Sequence, residues 1–360
     1  MSKIRVLVVD DSALIRQLLS RGLAMDPEIE VVGTANDPYV ARDLIVKLNP
    51  DVLTLDVEMP RMTGVEFLKR LMPQHPMPVV MVSSLTSRSA ETTMEALSAG
   101  AVDFVLKPAA NVHNGVELLL TELIAKVKAA SRVSVSHLRR DATAVRQVVV
   151  TKAATPMAAS TDKILAIGAS TGGIEAVRDV LVGLPVDGPG VVVVQHMPPV
   201  FTRMYAERLD RECPLSVKEA KDGDRVIAGR VLLAPGGIQC RVVRSGGHYV
   251  VRCEGTEPVS RHCPSVDVMF ESVAKHAGKH AVGVILTGMG SDGAAGMLSM
   301  HKTGAHTIAQ DQDTCVVYGM PKVAVEMGGV TEVLPLPRIA QAAVAALTAG
   351  DRHVRKVSNG

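Results

Sequence analysis

Gly168-Ala169-Ser170-Thr171-Gly172 follows the apolar run 164–167 and precedes the helix-compatible stretch 173–177. Strand, Gly-x-Ser-x-Gly and helix is the setting of a nucleophile elbow. Its glycines let the chain turn sharply and expose the serine hydroxyl at a helix N-terminus, where backbone N–H groups can hold an oxyanion. The same turn serves phosphate binding equally well. A serine nucleophile needs a base at neutral pH, and His196 ends the buried run 191–195. Asp292 follows the run 282–286 through a glycine-rich loop. It can orient an imidazole or cap the helix expected near Ala294. His262 beside Cys263 resembles a fragment of a metal site but lacks partners at ligand spacing. His276 and His280 read as a solvated helix end.

A second constellation precedes this one. Asp10 and Asp11 close the run 4–9, Asp56 follows 52–55, Ser83 follows 78–82 and Lys107 follows 102–106. In a doubly wound sheet such strand ends converge on one edge. Carboxylates gathered there repel one another unless a divalent cation neutralises them, and oxygen-only ligands suit Mg²⁺.

The elements that carry these groups alternate. Through residues 1–128 short apolar runs are separated by stretches with helical spacing, such as Leu14, Leu18, Leu19 and Leu23. This pattern gives a parallel sheet covered on both faces. The pattern collapses over 129–162, where six basic and two acidic residues fall within 131–163; a flexible basic linker is expected. A second α/β domain is expected over 163–350, and a C-terminal tail over 351–360. Between the runs 191–194 and 282–286 lie shorter ones, 231–234, 242–243 and 249–251, punctuated by Pro-Gly, Gly-Gly and Asp-Gly. They read as an antiparallel hairpin insert.

Composition excludes other classes. The 39 basic residues nearly balance the 37 acidic ones, so the chain is no polyanion-coating protein. Aromatics make up 2% with no Trp, against base stacking or a membrane-interface belt. Five cysteines without a C-x-x-C pair exclude a zinc ribbon or disulfide framework. No signal peptide and no apolar stretch approaching the ~18 residues of a span lead to the expectation of a cytoplasmic protein, with no membrane insertion and no nucleic-acid partner.

Residues 1–128, through VLVVDDS, LTLDVEMPRMTG, VVMVSSL and DFVLKP, resemble the flavodoxin-like receiver domain of response regulators, a five-stranded parallel sheet. The resemblance implies Asp56 as phospho-acceptor, with Mg²⁺ held by Asp10, Asp11, Asp56 and the Glu58 backbone carbonyl. It also implies Ser83 and Lys107 as phosphoryl contacts, Phe104 as switch, and a cis peptide at Lys107-Pro108. IGASTGG, VVVVQHMP, LLAPGG, PSVDVMF, VGVILTGMGSDGA and TIAQDQDTCVVYGMP extend the likeness over nearly the whole chain. It resembles the chemotaxis response regulator protein-glutamate methylesterases, whose second domain is a Rossmann-like α/β esterase. That implies demethylation of glutamate methyl esters and deamidation of glutamines on methyl-accepting chemotaxis receptors. A chemotaxis histidine kinase would be the phosphodonor, and the esterase chemistry would need no cofactor. Ser170 would be the nucleophile, His196 the base and Asp292 its orienter, with Met289 and Thr171 N–H groups as the oxyanion hole. The stretch 261–265, Arg-His-Cys-Pro-Ser, departs from the family's usual His-Arg-Pro-Ser and leaves a docking role for that loop open.

Two other classes fare worse. An oxidoreductase would use Tyr318 and Lys322, but Gly319 and Pro321 break the helix needed to align them. The strand after the Gly turn also ends in Gln195-His196 rather than a ribose-binding acid. A DNA-binding output is disfavoured because the chain outside 131–163 carries a net −2.

Overall fold

Each of the five apolar runs near the N-terminus forms a strand of one parallel sheet: β1 (Ile4–Val9), β2 (Ile29–Ala35), β3 (Val52–Asp56), β4 (Val79–Ser83) and β5 (Asp103–Leu106), in the order β2-β1-β3-β4-β5. β3 and β4 are buried at every position, as a sheet covered on both faces requires. The chain sets its helix starts locally. Asp37 caps Pro38–Leu48, and Thr63 with Glu66 forms a capping box on Gly64–Gln74.

This computed structural model describes residues 2–84, 86–108, 115–133 and 163–357, in two units, Met1–Ala144 and Val145–Gly360. The helix Gly115–Ala130 enters the expected linker, and Val133 is still buried. The remainder of that linker, 134–162, lies outside the described residues. The expected tail begins inside the helix Leu336–Val357. No helix among the described residues is long and apolar enough to cross a membrane.

The second unit holds a seven-stranded parallel sheet, β15-β14-β13-β6-β7-β10-β8. Its strands are β6 (Ile164–Ala169), β7 (Gly190–Gln195), β8 (Ser216–Glu219), β10 (Arg230–Leu233), β13 (Ala281–Ile285), β14 (His306–Gln310) and β15 (Glu332–Leu334). β9 (Arg225–Val226), β11 (Cys240–Ser245) and β12 (His248–Cys253) form a separate antiparallel sheet, the expected insert. One run is reassigned. Val231–Leu233, read as part of that insert, pairs parallel with β7 and β8. All three residues are buried, which suits a strand covered on both faces and not a hairpin with one wet face. From β6 the chain builds outward through β7 on one side and through β13 on the other. This reversal of direction is where open α/β sheets form their crevice.

Candidate active site

β13, β6 and β7 are neighbours, and their carboxyl ends deliver the three expected catalytic residues to one rim. The β6–β7 ladder ends on Ala169 opposite Gln195, so Ser170 and His196 come next on adjacent strands. The His196 N–H donates to the Ala169 carbonyl at 3.1 Å, and the Ser170 N–H donates to Thr287 beyond β13 at 3.0 Å. Gly172 turns the chain at φ +76° ahead of the helix Gly173–Val182. A Cβ there would lie 2.5 Å from Val316, so both conformation and space demand glycine.

Asp292 is almost fully buried and accepts four hydrogen bonds. Its Oδ2 receives His196 Nε2 at 2.7 Å and the Val266 N–H at 2.7 Å. Its Oδ1 receives the Ser265 hydroxyl at 2.7 Å and the Asp267 N–H at 3.1 Å. The helix whose first N–H groups it accepts is therefore not the following one, whose N-cap is Gly293, but Val266–His276, which begins 26 residues upstream. Burial opposes ionisation, but the His196, Ser265 and Val266 donors outweigh it and hold the carboxyl at about 2. An ionised carboxylate only accepts, so His196 carries its proton on Nε2. Nδ1 is buried and without a partner; in the neutral imidazole it is the nitrogen that holds the lone pair a general base requires. No hydrogen bond joins it to Ser170 among the described residues. Such contacts commonly tighten only when substrate binds.

Of the two expected oxyanion donors, Thr171 directly follows Ser170, and Met289 follows Gly288, where a Cβ would lie 2.8 Å from Ser170 Cβ. Thr171 is buried, and its carbonyl accepts the Thr287 hydroxyl at 2.9 Å. Met289 is half-buried, and its N–H makes no hydrogen bond among the described residues. Thr287 also receives the Val317 N–H and gives its own N–H to the Gln310 side chain, so it pins three segments behind the serine.

Sequence reasoning missed several supporting groups. The His262 ring stacks on His196, with centroids 3.7 Å apart and planes 9° off parallel. It packs on the expected base, and the candidate metal-binding group among the described residues does not include it. Ser260 and Arg261 before it both have positive φ. Gln239 holds this loop, donating to the His262 carbonyl at 3.1 Å and accepting the Ser265 N–H at 2.9 Å. Gln195 donates to the Ser170 carbonyl at 2.9 Å. Burial, opposed by the Gly296 N–H and reinforced by neighbouring Asp292, pushes the Asp267 carboxyl up to about 6. Only a side chain next to a motif residue, such as Ser265 in the PSVDVMF string, gave any sequence signal.

In the first unit, Asp10, Asp11 and Asp56 offer oxygens within 4.8 Å of one another. Lys107 Nζ lies 2.9 Å from Asp10 and 2.9 Å from Asp56. Burial raises the Asp56 carboxyl to about 6 despite the Lys107 cation. The Glu58 N–H donates to Asp56 at 3.3 Å, which brings the residue whose carbonyl was singled out beside the cluster. Ser83 is buried; its hydroxyl accepts from Thr93 at 2.7 Å and donates to the Ser84 carbonyl. Phe104 is buried, with Lys126 Nζ 5.2 Å from its ring centroid. The peptide at Lys107-Pro108 is trans, contrary to the expectation of a cis bond there; the cis X-Pro bond among the described residues is Cys263-Pro264. Trans is the ordinary state of X-Pro, by about 0.5–1 kcal/mol, and a KP pair in the sequence does not overrule it.

The description "CheB methylesterase" matches residues 165–343, and "Response regulator receiver domain" matches residues 6–116. The protein-glutamate methylesterase/protein-glutamine glutaminase of Syntrophotalea carbinolica is 61% identical over 338 residues, covering 94% of this chain and 96% of that protein. The protein of the same name from Salmonella typhimurium is 54% identical over 351 residues, 97% of this chain and 99% of its own length. Among solved structures, the Thermotoga maritima CheB methylesterase catalytic domain is 39% identical and covers 51% of this chain and 97% of that one, with a TM-score of 0.49.

Proposed function

Because the chain belongs to the CheB protein-glutamate methylesterase/protein-glutamine glutaminase family, we propose that Ser170, His196 and Asp292 hydrolyse glutamate methyl esters and specific glutamine amides on chemoreceptors. The receiver domain switches this activity on when Asp56 is phosphorylated. The observation that carries the reading is the Asp292–His196 bond at 2.7 Å, which engages Nε2 and leaves Nδ1 without a partner.

His196 Nδ1 takes the Ser170 proton as the hydroxyl oxygen adds to the glutamyl carbonyl. The Met289 and Thr171 N–H groups meet the developing oxyanion; one such donor is worth about 2.7–4 kcal/mol. The tetrahedral intermediate collapses, and methanol leaves with the proton from His196. Water, deprotonated by the same nitrogen, then releases glutamate and returns the proton to Ser170. With an amide the leaving group is ammonia, which must be protonated to depart. Asp292 remains ionised throughout and stabilises the imidazolium.

In the receiver, Asp56 is the carboxylate that takes a phosphoryl group from the histidine kinase. The all-oxygen set of Asp10, Asp11, Asp56 and the Glu58 carbonyl fits Mg²⁺. The ion supplies charge neutralisation for the phosphoryl oxygens when bound. Lys107, bridging Asp10 and Asp56, adds a fixed cation to the same site, with Ser83 as hydroxyl contact and Phe104 as the switch.

The test is methanol release from methylated receptor membranes with and without a small phosphodonor. The reading requires release that rises with phosphodonor and disappears in Ser170→Ala. Phosphodonor-independent release in the wild-type chain would refute the regulatory half, and release by Ser170→Ala the catalytic half.

A further inference from the structure

The insert sheet sets two cysteines directly across from each other, Cys240 on β11 against Cys253 on β12. The ladder's hydrogen bonds fall on their neighbours. Glu254 N–H donates to the Gln239 carbonyl at 3.0 Å, and Gln239 N–H to the Gly255 carbonyl at 2.8 Å. The Cys253 N–H points the other way, to the Asp222 carboxylate at 3.1 Å. The cysteines therefore occupy a non-hydrogen-bonded site, where facing Cα atoms approach to about 4.5 Å. That is inside the roughly 4.4–6.8 Å range a disulfide spans. Neither cysteine is in a disulfide, and both are free.

Their surroundings differ. Cys240 is buried in the core and Cys253 is half-exposed at its edge. The facing Cys240 thiol lowers the Cys253 thiol, whereas burial raises those of Cys213, Cys263 and Cys315. Cys253 is thus the reachable, more acidic thiol, with a shielded cysteine facing it across the ladder.

We propose that Cys240 and Cys253 are a redox-modification site, a dithiol that hydroperoxides convert reversibly to a cross-strand disulfide. The Cys253 thiolate attacks one peroxide oxygen; the O–O bond breaks, giving a sulfenic acid and, after protonation, water. The Cys240 sulfur then attacks the sulfenic sulfur, the S–OH bond breaks, and its thiol proton leaves with hydroxide as water. Two thiols lose two electrons and two protons, and one hydrogen peroxide becomes two waters. A thiol reductant reverses the bond by exchange. Cys240 immediately follows Gln239, whose side chain holds both the His262 and Ser265 backbones, so the bridge forms next to the support of the catalytic base. This inference is independent of the esterase reading.

The full chain is treated with one equivalent of hydrogen peroxide, unfolded, alkylated with iodoacetamide and mapped by mass spectrometry. The expected result is loss of two of the five thiols, with peptides containing Cys240 and Cys253 joined, and return of all five after dithiothreitol. In Cys240→Ala, Cys253 stops as a sulfenic acid that dimedone captures. Should that buried variant fail to fold, the more exposed Cys253→Ser keeps its four remaining thiols alkylatable. Over-oxidation of Cys253 beside an alkylatable Cys240, bridging of Cys253 to another cysteine, or indiscriminate oxidation of all five overturns the proposal.

Discussion

Replacing Asp292 by Asn tests whether the buried carboxylate organises the esterase site. Each of its oxygens accepts two donors, so an amide nitrogen must face one such pair. Facing His196 and Val266 would leave the Val266 N–H opposed by a donor and force the imidazole into the wrong tautomer. Facing Ser265 and Asp267 is less costly, because the Ser265 hydroxyl can rotate and accept; the Asp267 N–H is then orphaned, at about 1–3 kcal/mol. An independent figure agrees. Lowering the carboxyl from its ordinary 3.8 to about 2 corresponds to about 2 kcal/mol. For a unit of this size that lowers the melting temperature by roughly 4–8 °C. The sign fixes the pH window. A depressed carboxyl stabilises the fold fully above about pH 4 and loses that contribution as pH falls through about 2. Calorimetry from pH 7 downward should show the wild-type advantage over Asn narrowing across that window. Asp292→Ala removes all four acceptor contacts, and turnover falls on the order of 10⁴-fold. An Asn variant melting within about 1 °C of wild type at pH 7 would refute this account of the carboxylate.

Ser170→Ala should lose on the order of 10⁵–10⁶ in methanol release without a lower melting temperature; near-normal release removes it as nucleophile. His262→Ala should slow turnover roughly tenfold, since a stacked ring pair is worth about 0.5–1.5 kcal/mol. His262→Phe should restore most of that rate, and a Phe variant as slow as Ala means the ring face is not what matters. Asp56 runs opposite to Asp292 in sign: its raised carboxyl, about 6 against 3.8, costs the receiver stability above about pH 6 and none below about pH 4. With a chelator at pH 7, Asp56→Asn should therefore stabilise the first unit by up to about 3 kcal/mol, and Mg²⁺ should narrow the gap by binding the wild type. Equal stability with chelator present contradicts the desolvation argument.

Much of the first unit was legible because its strands are short apolar runs bounded by chemistry-bearing residues. The ends at Asp10, Asp56, Ser83 and Lys107 could be read directly from where the apolar pattern stopped. The second unit was legible for the same reason at β6, β7 and β13. It failed at β10, where Val231–Leu233 is too short for its period to distinguish a buried central strand from a hairpin arm. β14 and β15 went unread as strands; the described β15, Glu332–Leu334, has only three residues and two of them are exposed. The cis bond at Cys263-Pro264 instead of Lys107-Pro108 had no local signal.

What the sequence by itself determined is which residues end buried strands and which backbone must be glycine, because both depend on near neighbours along the chain. The positions of Ser170 and His196 just past β6 and β7 follow from that, and Asp292 is placed beyond β13 through a glycine-rich loop. Tertiary structure decided what those side chains do to each other. It put Asp292 under the helix Val266–His276 and not on its own, gave His196 Nε2 a partner while leaving Nδ1 without one, and laid the His262 ring against His196. These partners are separated by 25 to 96 residues, and their meeting depends on strand order and register, which no local period records.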